Sequence, residues 1–199
     1  LPLPASGRDL QTGQVHNRVA LVFDYDSLWM AQIQPQGADY NALELHFRVY
    51  SALRQLGLDV DIVGPQHPLN TYRLVVLPAQ LHVSVRLAHA LEQAAQSGTH
   101  IVLGPRCGAK SATLTFPVDA AGNTQLPPGP LTHLAGVRVE RVASLPPGLS
   151  TPVKLANGPA AQMQRWREDW ALDGAQVIAT FADDGRPAIT QHGTVHGVA

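Results

Sequence analysis

The stretch LVVLPAQLHVSVRLAHALEQAAQSGTHIVL, residues 74–103, carries a strand, a helix and a second strand in the order that decides the fold. LVVLP (Leu74–Pro78) and HIVL (His100–Leu103) are continuous apolar runs, which are typical of strands buried on both faces. Between them, Ser84 is a predicted helix N-cap and Gly98 marks the predicted helix end. A strand, one crossover helix and a further strand predict a parallel βαβ unit.

The same alternation begins upstream of this unit. VALVF (Val19–Phe23) and VDIV (Val60–Val63) are predicted strands, and the spacing of apolar residues predicts a helix between Asp39 and Gly57. The apolar residues of that helix form two series, Leu43, Phe47, Tyr50 and Val49, Leu53, Leu56. Together these elements predict an α/β protein with a doubly wound parallel sheet, flavodoxin-like or Rossmann-like.

The pattern changes after residue 104. Prolines and glycines crowd residues 117–130, which predicts a turn-rich arm, and a short helix and a strand are expected over 131–142. From about Met163 onward, alternating runs predict antiparallel strands, with a hairpin turn at Asp183–Gly185. The sequence therefore predicts an antiparallel β appendage at the C-terminal end of the parallel sheet.

Composition excludes several classes of function. The 199 residues suit one domain, and a net charge of −1 with no run of Lys or Arg argues against a nucleic-acid partner. No apolar run approaches the roughly 18 residues of a membrane span. One cysteine excludes an internal disulfide and a cysteine-rich zinc site.

The first residues, LPLPASGRDLQTGQ, show no basic leader and no apolar signal core. We expect residues 1–16 to be a linker and the protein to be cytoplasmic.

GPRCGAKS, residues 104–111, is the segment that most resembles a catalytic or phosphate-binding loop. Gly104, Lys110 and Ser111 fit a phosphate-binding loop, but the second glycine is missing and a β-branched run replaces the helix that should follow. Cys107 is the alternative, as a nucleophile on a tight turn, although Pro105 stands two residues before it, where a small residue is needed. An ordinary connection with a buried cysteine fits the same residues.

The connection between Phe23 and Asp39 is longer than such units usually need. It begins with the carboxylates Asp24 and Asp26, which suit helix capping better than metal binding because no phosphate loop accompanies them. Its large apolar side chains are Leu28, Trp29, Met30 and Ile33. They predict either a short helix packed on the core or contact with another domain or subunit. The histidines lack supporting carboxylates, so no metal or cofactor is expected.

Six segments of the chain closely resemble the middle domain of family 42 glycoside hydrolases, the β-galactosidases. They are VALVFDYDSLWMAQIQPQGADY, HFRVYSALRQLGLDVDIVGP, YRLVVLPAQLHVS, HIVLGPRCGAKSATLTFP, LPPGPLTHLAGVRVERVASLPPG and GAQVIATFADDGRPAITQHGTVHG. They occur in the family's order and extend over nearly the whole chain from Val19.

The resemblance implies a trimerisation domain over residues 17–199, with a fold like class I glutamine amidotransferases but without their nucleophile. It also implies that the two catalytic glutamates of the enzyme lie in a preceding (β/α)₈ barrel, so this chain alone is expected to be inactive. Its partners would be that barrel and two further copies, held by heterologous contacts around a threefold axis. The alternative is a stand-alone amidotransferase-like hydrolase that uses Cys107.

We predict the interface in the Trp29 connection and in the GPRCGAKS segment. The candidate residues are Asp24, Tyr25, Asp26, Leu28, Trp29, Met30, Ile33, Arg106, Cys107 and Lys110.

Overall fold

The computed structural model describes residues 19–37, 39–155, 158 and 161–199. The predicted linker, residues 1–16, lies outside the described residues. The helices and strands follow in chain order: β1 (Val19–Val22), α1 (Tyr25–Ile33), α2 (Ala42–Gln55), β2 (Val60–Val63), β3 (Leu74–Leu77), α3 (Val85–Gln96), β4 (His100–Leu103), α4 (Thr132–Ala135), β5 (Val137–Ser144), β6 (Ser150–Leu155), β7 (Ala161–Gln164), β8 (Trp166–Leu172), β9 (Gln176–Phe181), β10 (Pro187–His192) and β11 (Val195–Val198).

The strands that the sequence predicts in the first half are confirmed. β2, β1, β3 and β4 lie side by side in that order and all three neighbouring pairs are parallel. The three long helices begin at the side-chain caps Asp24, Asn41 and Ser84, each of which accepts a hydrogen bond from a backbone N–H of the first turn.

The C-terminal strands are not an appendage. β11 pairs in parallel with β4 on one side and antiparallel with β10 on the other. One mixed sheet of nine strands results, in the order β2-β1-β3-β4-β11-β10-β9-β6-β7. The predicted hairpin is present as β9 and β10, and β5 and β8 form a separate two-stranded sheet. The predicted antiparallel strands are present, but they continue the main sheet through β11 instead of forming an appendage. Local sequence patterns do not reveal which distant strand a run will pair with.

The core lies on the parallel half and continues beneath β11. Val75, Leu77, Leu91 and Ile101 are fully buried and belong to one cluster. Gly197 of β11 lets that strand lie close to its neighbours, since a Cβ there would lie 2.9 Å from the hydroxyl of Thr190 and 3.0 Å from the ring of Trp170. The end of the chain is thus built into the centre of the sheet.

Candidate assembly interface

Helix α1 occupies the long connection after β1 and turns an aromatic face outward. Tyr25, Trp29 and Ile33 stand four residues apart, which places them along one side of the helix, and all three are exposed. Met30 and Ala31 are buried on the opposite side. The predicted short helix packed on the core is therefore confirmed for one face of α1, whereas the other face is exposed in this chain.

A second apolar surface adjoins this helix. Leu43 and Phe47 project from α2, Phe47 with 67% of its surface exposed, and Ile62 projects from the edge strand β2. With parts of β1 and α1 they line a groove of about 500 Å³. We call the six exposed residues Tyr25, Trp29, Ile33, Leu43, Phe47 and Ile62 the apolar face.

Ring contacts connect the two parts of the apolar face. The ring centroid of Tyr25 lies 6.0 Å from that of Trp29 and 5.1 Å from that of Phe23. Phe23 in turn meets His46 of α2 edge to face at 5.2 Å. Contiguous exposed aromatic surface of this kind is typical of a protein–protein contact.

A polar network holds the first turn of α1 against the sheet. The side-chain amide of Gln80 donates to the carboxylate of Asp24 at 2.8 Å and to the hydroxyl of Ser27 at 3.1 Å. The hydroxyl of Ser27 donates to the same carboxylate at 2.8 Å. Asp24 is therefore a helix cap and a link to the loop after β3. This structural role occupies a side chain that was predicted to be an interface contact.

The loop after β4 is a tight turn with Arg106 at its centre. Arg106 has a backbone φ of +67°, and Gly104 and Gly108 flank it at two residues on either side. A Cβ at Gly104 would collide with the carbonyl of Pro78, and one at Gly108 with the carbonyl of Pro128. Two glycines placed two residues before and two residues after a central residue are the spacing of a nucleophile elbow. In this elbow, residues 104–108, the central residue is Arg106, whose guanidinium is always protonated and cannot act as a nucleophile.

Burial removes three predicted contact residues from the surface. Arg106 is 2% exposed and Cys107 is 3% exposed, so neither side chain lies on the outside of this chain. Met30 is buried as well, and Leu28 packs partly against the same cluster. Asp26 remains exposed on α1, and Lys110 is half-buried, with its ammonium 5.7 Å from the ring centroid of Phe116.

Cys107 is unsuited to nucleophilic chemistry. Its Sγ donates to the carbonyl of Leu77 and accepts from the backbone N–H of Gln80, each at 3.4 Å. Burial raises the pKa of the Cys107 thiol to about 12, so the reactive thiolate is scarce at neutral pH. The alternative of a hydrolase that uses Cys107 is therefore not supported. The phosphate-loop alternative also fails, because the described chain forms turns after Gly104 and pairs Lys110 with His82 instead of starting a helix.

Glu168 on β8 is a buried carboxylate that the sequence did not single out. It accepts hydrogen bonds from the backbone N–H of Arg106 at 2.8 Å and from the indoles of Trp166 at 3.1 Å and Trp170 at 3.2 Å. Burial raises the pKa of Glu168, and the three N–H donors oppose that rise. The pattern Trp-x-Glu-x-Trp was the available signal, since alternate residues of a strand share a face.

Leu43, Phe47 and Ile62 were also missed as surface residues. Two apolar series on one helix, one of which contains Leu43 and Phe47, exceed what a single core-facing stripe needs. That excess was the available signal.

In the part of the chain that the structure describes, no group of three His, Cys, Asp or Glu side chains is arranged to hold a metal ion. None of the described helices is long and apolar enough to cross a bilayer.

Comparison with known proteins gives a consistent result. A family described as "Beta-galactosidase trimerisation domain" matches residues 17–199. A β-galactosidase of Thermus sp is 41% identical over 169 residues, which are 84% of this chain and 24% of that protein. A β-galactosidase of Thermus thermophilus is 40% identical over 177 residues, 88% of this chain and 25% of that protein.

Solved structures agree with the sequence relatives. The crystal structure of a β-galactosidase from the psychrophilic Marinomonas ef1 superposes with a TM-score of 0.84 at 34% identity, covering 93% of this chain and 26% of that one. The chain thus spans about a quarter of the length of the relatives it matches.

Proposed function

This chain belongs to the β-galactosidase trimerisation domains of the family 42 glycoside hydrolases, and from that premise we propose that it joins three copies of its protein through the apolar face. The observation that carries the proposal is the exposure of Tyr25, Trp29 and Phe47 on one contiguous surface. Large aromatic side chains dominate the free energy of protein interfaces. Covering them with another copy removes that apolar area from water.

The contacts in such a ring are heterologous. Around a threefold axis a patch on one copy meets a different patch on the next, so the apolar face receives other residues and not itself. Asp26 lies on α1 beside the exposed aromatic residues and belongs to the polar rim of the proposed contact. The interiors of interfaces are apolar and their rims polar.

The whole protein is proposed to be a β-galactosidase that hydrolyses terminal β-D-galactosides in carbohydrate metabolism. The support is that relatives named β-galactosidases are about four times as long as the matched segment. In this proposal the catalytic glutamates lie in a barrel outside this chain, residues 1–16 connect to that barrel, and residues 17–199 form the assembly domain. No cofactor or nucleic acid takes part, and the protein acts in the cytoplasm.

The parallel half is proposed to be a flavodoxin-like, doubly wound unit related to the class I glutamine amidotransferases. Two observations support this assignment. The strand order β2-β1-β3-β4 is the order with which flavodoxin-like sheets begin. The elbow spacing of Gly104 and Gly108 around Arg106 follows the fourth strand, and the arginine explains how such a fold serves assembly without a nucleophile.

The test is a charge placed in the groove. In the full-length protein, Phe47→Asp should weaken trimer formation at least tenfold, measured by sedimentation velocity over a concentration series, because an unpaired carboxylate would have to be desolvated. Val85→Asp is the matched control, since Val85 is an exposed apolar residue in the first turn of α3, where a carboxylate is favourable. A Phe47→Asp protein that remains as trimeric as the control would refute the proposed interface.

A further inference from the structure

The C-terminal end of α1 lacks a stabilising charge of its own. The helix has nine residues and no basic side chain in its last turn. Helices this short are marginal in isolation, so their position depends on tertiary contacts. The last carbonyls of a helix also carry partial negative charge and favour a nearby cation.

Arg106 supplies that cation from the elbow, seventy-two residues beyond Gln34 in the chain. Its guanidinium donates to the carbonyl of Gln34, the C-cap of α1, at 2.8 Å and to the carbonyl of Pro35 at 2.9 Å. Because both hydrogen bonds come from one planar guanidinium, they fix both the position and the direction of the helix end.

The guanidinium is itself held in place. Its central carbon lies 4.6 Å from the ring centroid of Tyr40 and 5.0 Å from that of Trp166, within the range of cation–π attraction. The backbone N–H of the same residue donates to Glu168. A non-glycine residue at positive φ is strained and persists only where its surroundings fix it. Here the fixed feature is a side chain directed at α1.

We infer that Arg106 is a positioning residue of the assembly interface, which fixes the C-terminal end of α1 so that Trp29 and Ile33 stand where the next copy meets them. Arg106 touches no partner itself, because it is buried beneath the helix. The effect of Arg106 on assembly rests on the proposed function, whereas the effect of Arg106 on the position of α1 does not depend on that proposal.

The experiment is backbone amide hydrogen exchange on the full-length protein with Arg106→Met and Arg106→Lys. Methionine keeps the apolar stem and removes both hydrogen bonds, so exchange in peptides covering residues 30–36 should rise at least tenfold. Lysine keeps the charge and one hydrogen bond, so the exchange rate of the Arg106→Lys protein should lie between those of Arg106→Met and the wild type. Arg54→Met is the matched control. Arg54 also donates a hydrogen bond to a carbonyl beyond the end of its helix, that of Leu58, but it lies on the surface of α2. Sedimentation of the same proteins should show trimer formation weakened in the same order.

Three results would overturn the inference. Unchanged exchange at residues 30–36 in both variants would show that Arg106 does not hold α1. An equal rise in β1, β3 and β4 would show a general structural role. Faster hydrogen exchange in α1 with unchanged sedimentation would show that Arg106 has no role in assembly. Failure of the proposed interface gives a different result. In that case Phe47→Asp would leave the trimer intact, whereas hydrogen exchange in α1 would still become faster in Arg106→Met.

Discussion

The backbone N–H of Arg106 donates a 2.8 Å hydrogen bond to the carboxylate of Glu168, joining the elbow after β4 to strand β8. This contact connects two parts of the chain that are sixty-two residues apart. It also places a buried carboxylate directly beneath the residue that holds α1. The protonation of Glu168 therefore affects the stability of the region that supports the apolar face.

Glu168 should make the domain less stable as the pH rises. Because burial raises the pKa of Glu168 above its ordinary value in the folded state, the folded state binds more protons than the unfolded state at a pH between the unfolded and the folded pKa. Stability is then highest below the unfolded pKa and falls as the pH passes through the folded pKa. The wild-type free energy of unfolding, measured relative to Glu168→Gln by urea titration, should decline with pH above about 4.5.

The comparison with Glu168→Gln isolates this group from the other carboxylates. Glu140→Gln is the control, since it removes a carboxylate that is exposed on β5 instead of the buried one. A difference between wild type and Glu168→Gln that is constant from pH 4 to pH 9 would contradict the raised pKa.

Gly108→Ala should strongly destabilise the elbow. The added Cβ would collide with the backbone carbonyl of Pro128, and Gly108 has a φ of +64° that alanine tolerates poorly. Gly57→Ala is the matched control, because Gly57 has a φ of +76° but open space around its Cβ position. We expect about 1 kcal/mol for the control and at least ~3 kcal/mol for Gly108→Ala, both from urea unfolding. Equal losses would show that the close approach at Gly108 contributes nothing.

Cys107 should resist alkylation in the folded protein. With a thiol pKa of about 12, its thiolate fraction at pH 8 is roughly a thousandfold below that of an unperturbed cysteine. Iodoacetamide at pH 8 should therefore label the native protein at least that much more slowly than the urea-unfolded protein, followed by mass spectrometry. Comparable native and unfolded rates would place the thiol in contact with solvent and restore the nucleophile hypothesis.

Local signals were sufficient to predict the parallel half of the fold. The continuous apolar runs at Val19–Val22 and Leu74–Leu77 became strands, and Ser84 became the cap of α3, because burial and capping depend on residues close in sequence. The position of β11 was not predictable in this way. Its insertion between β4 and β10 brings Gly197 against Thr190 of the preceding strand and against Trp170 of β8, which lies far away in the sequence.

The candidate site was predicted only in part. The sequence left open whether Trp29 packs on the core or contacts another molecule, and the structure shows that its side chain is exposed. Phe47 was not predicted as a surface residue, since helical spacing is the same whether a residue faces a core or another molecule. Arg106 was predicted to be an interface residue as part of the GPRCGAKS segment. It is buried instead, and its guanidinium contacts two carbonyls and two aromatic rings in place of water.

Trp29→Ala should weaken assembly while leaving the fold of the domain nearly intact. Trp29 is 55% exposed, and its ring centroid lies 6.0 Å from that of Tyr25, which is exposed as well. Truncating an aromatic anchor commonly costs at least ~2 kcal/mol of binding, a loss of about thirtyfold in affinity. Sedimentation equilibrium of the full-length mutant should show that loss, and urea unfolding of the same mutant should show a change within about 1 kcal/mol in the transition of this domain. Val85→Ala, an exposed apolar truncation on α3, should alter neither measurement. A trimer of unchanged affinity together with a strongly destabilised domain would instead identify Trp29 as a residue that the core needs.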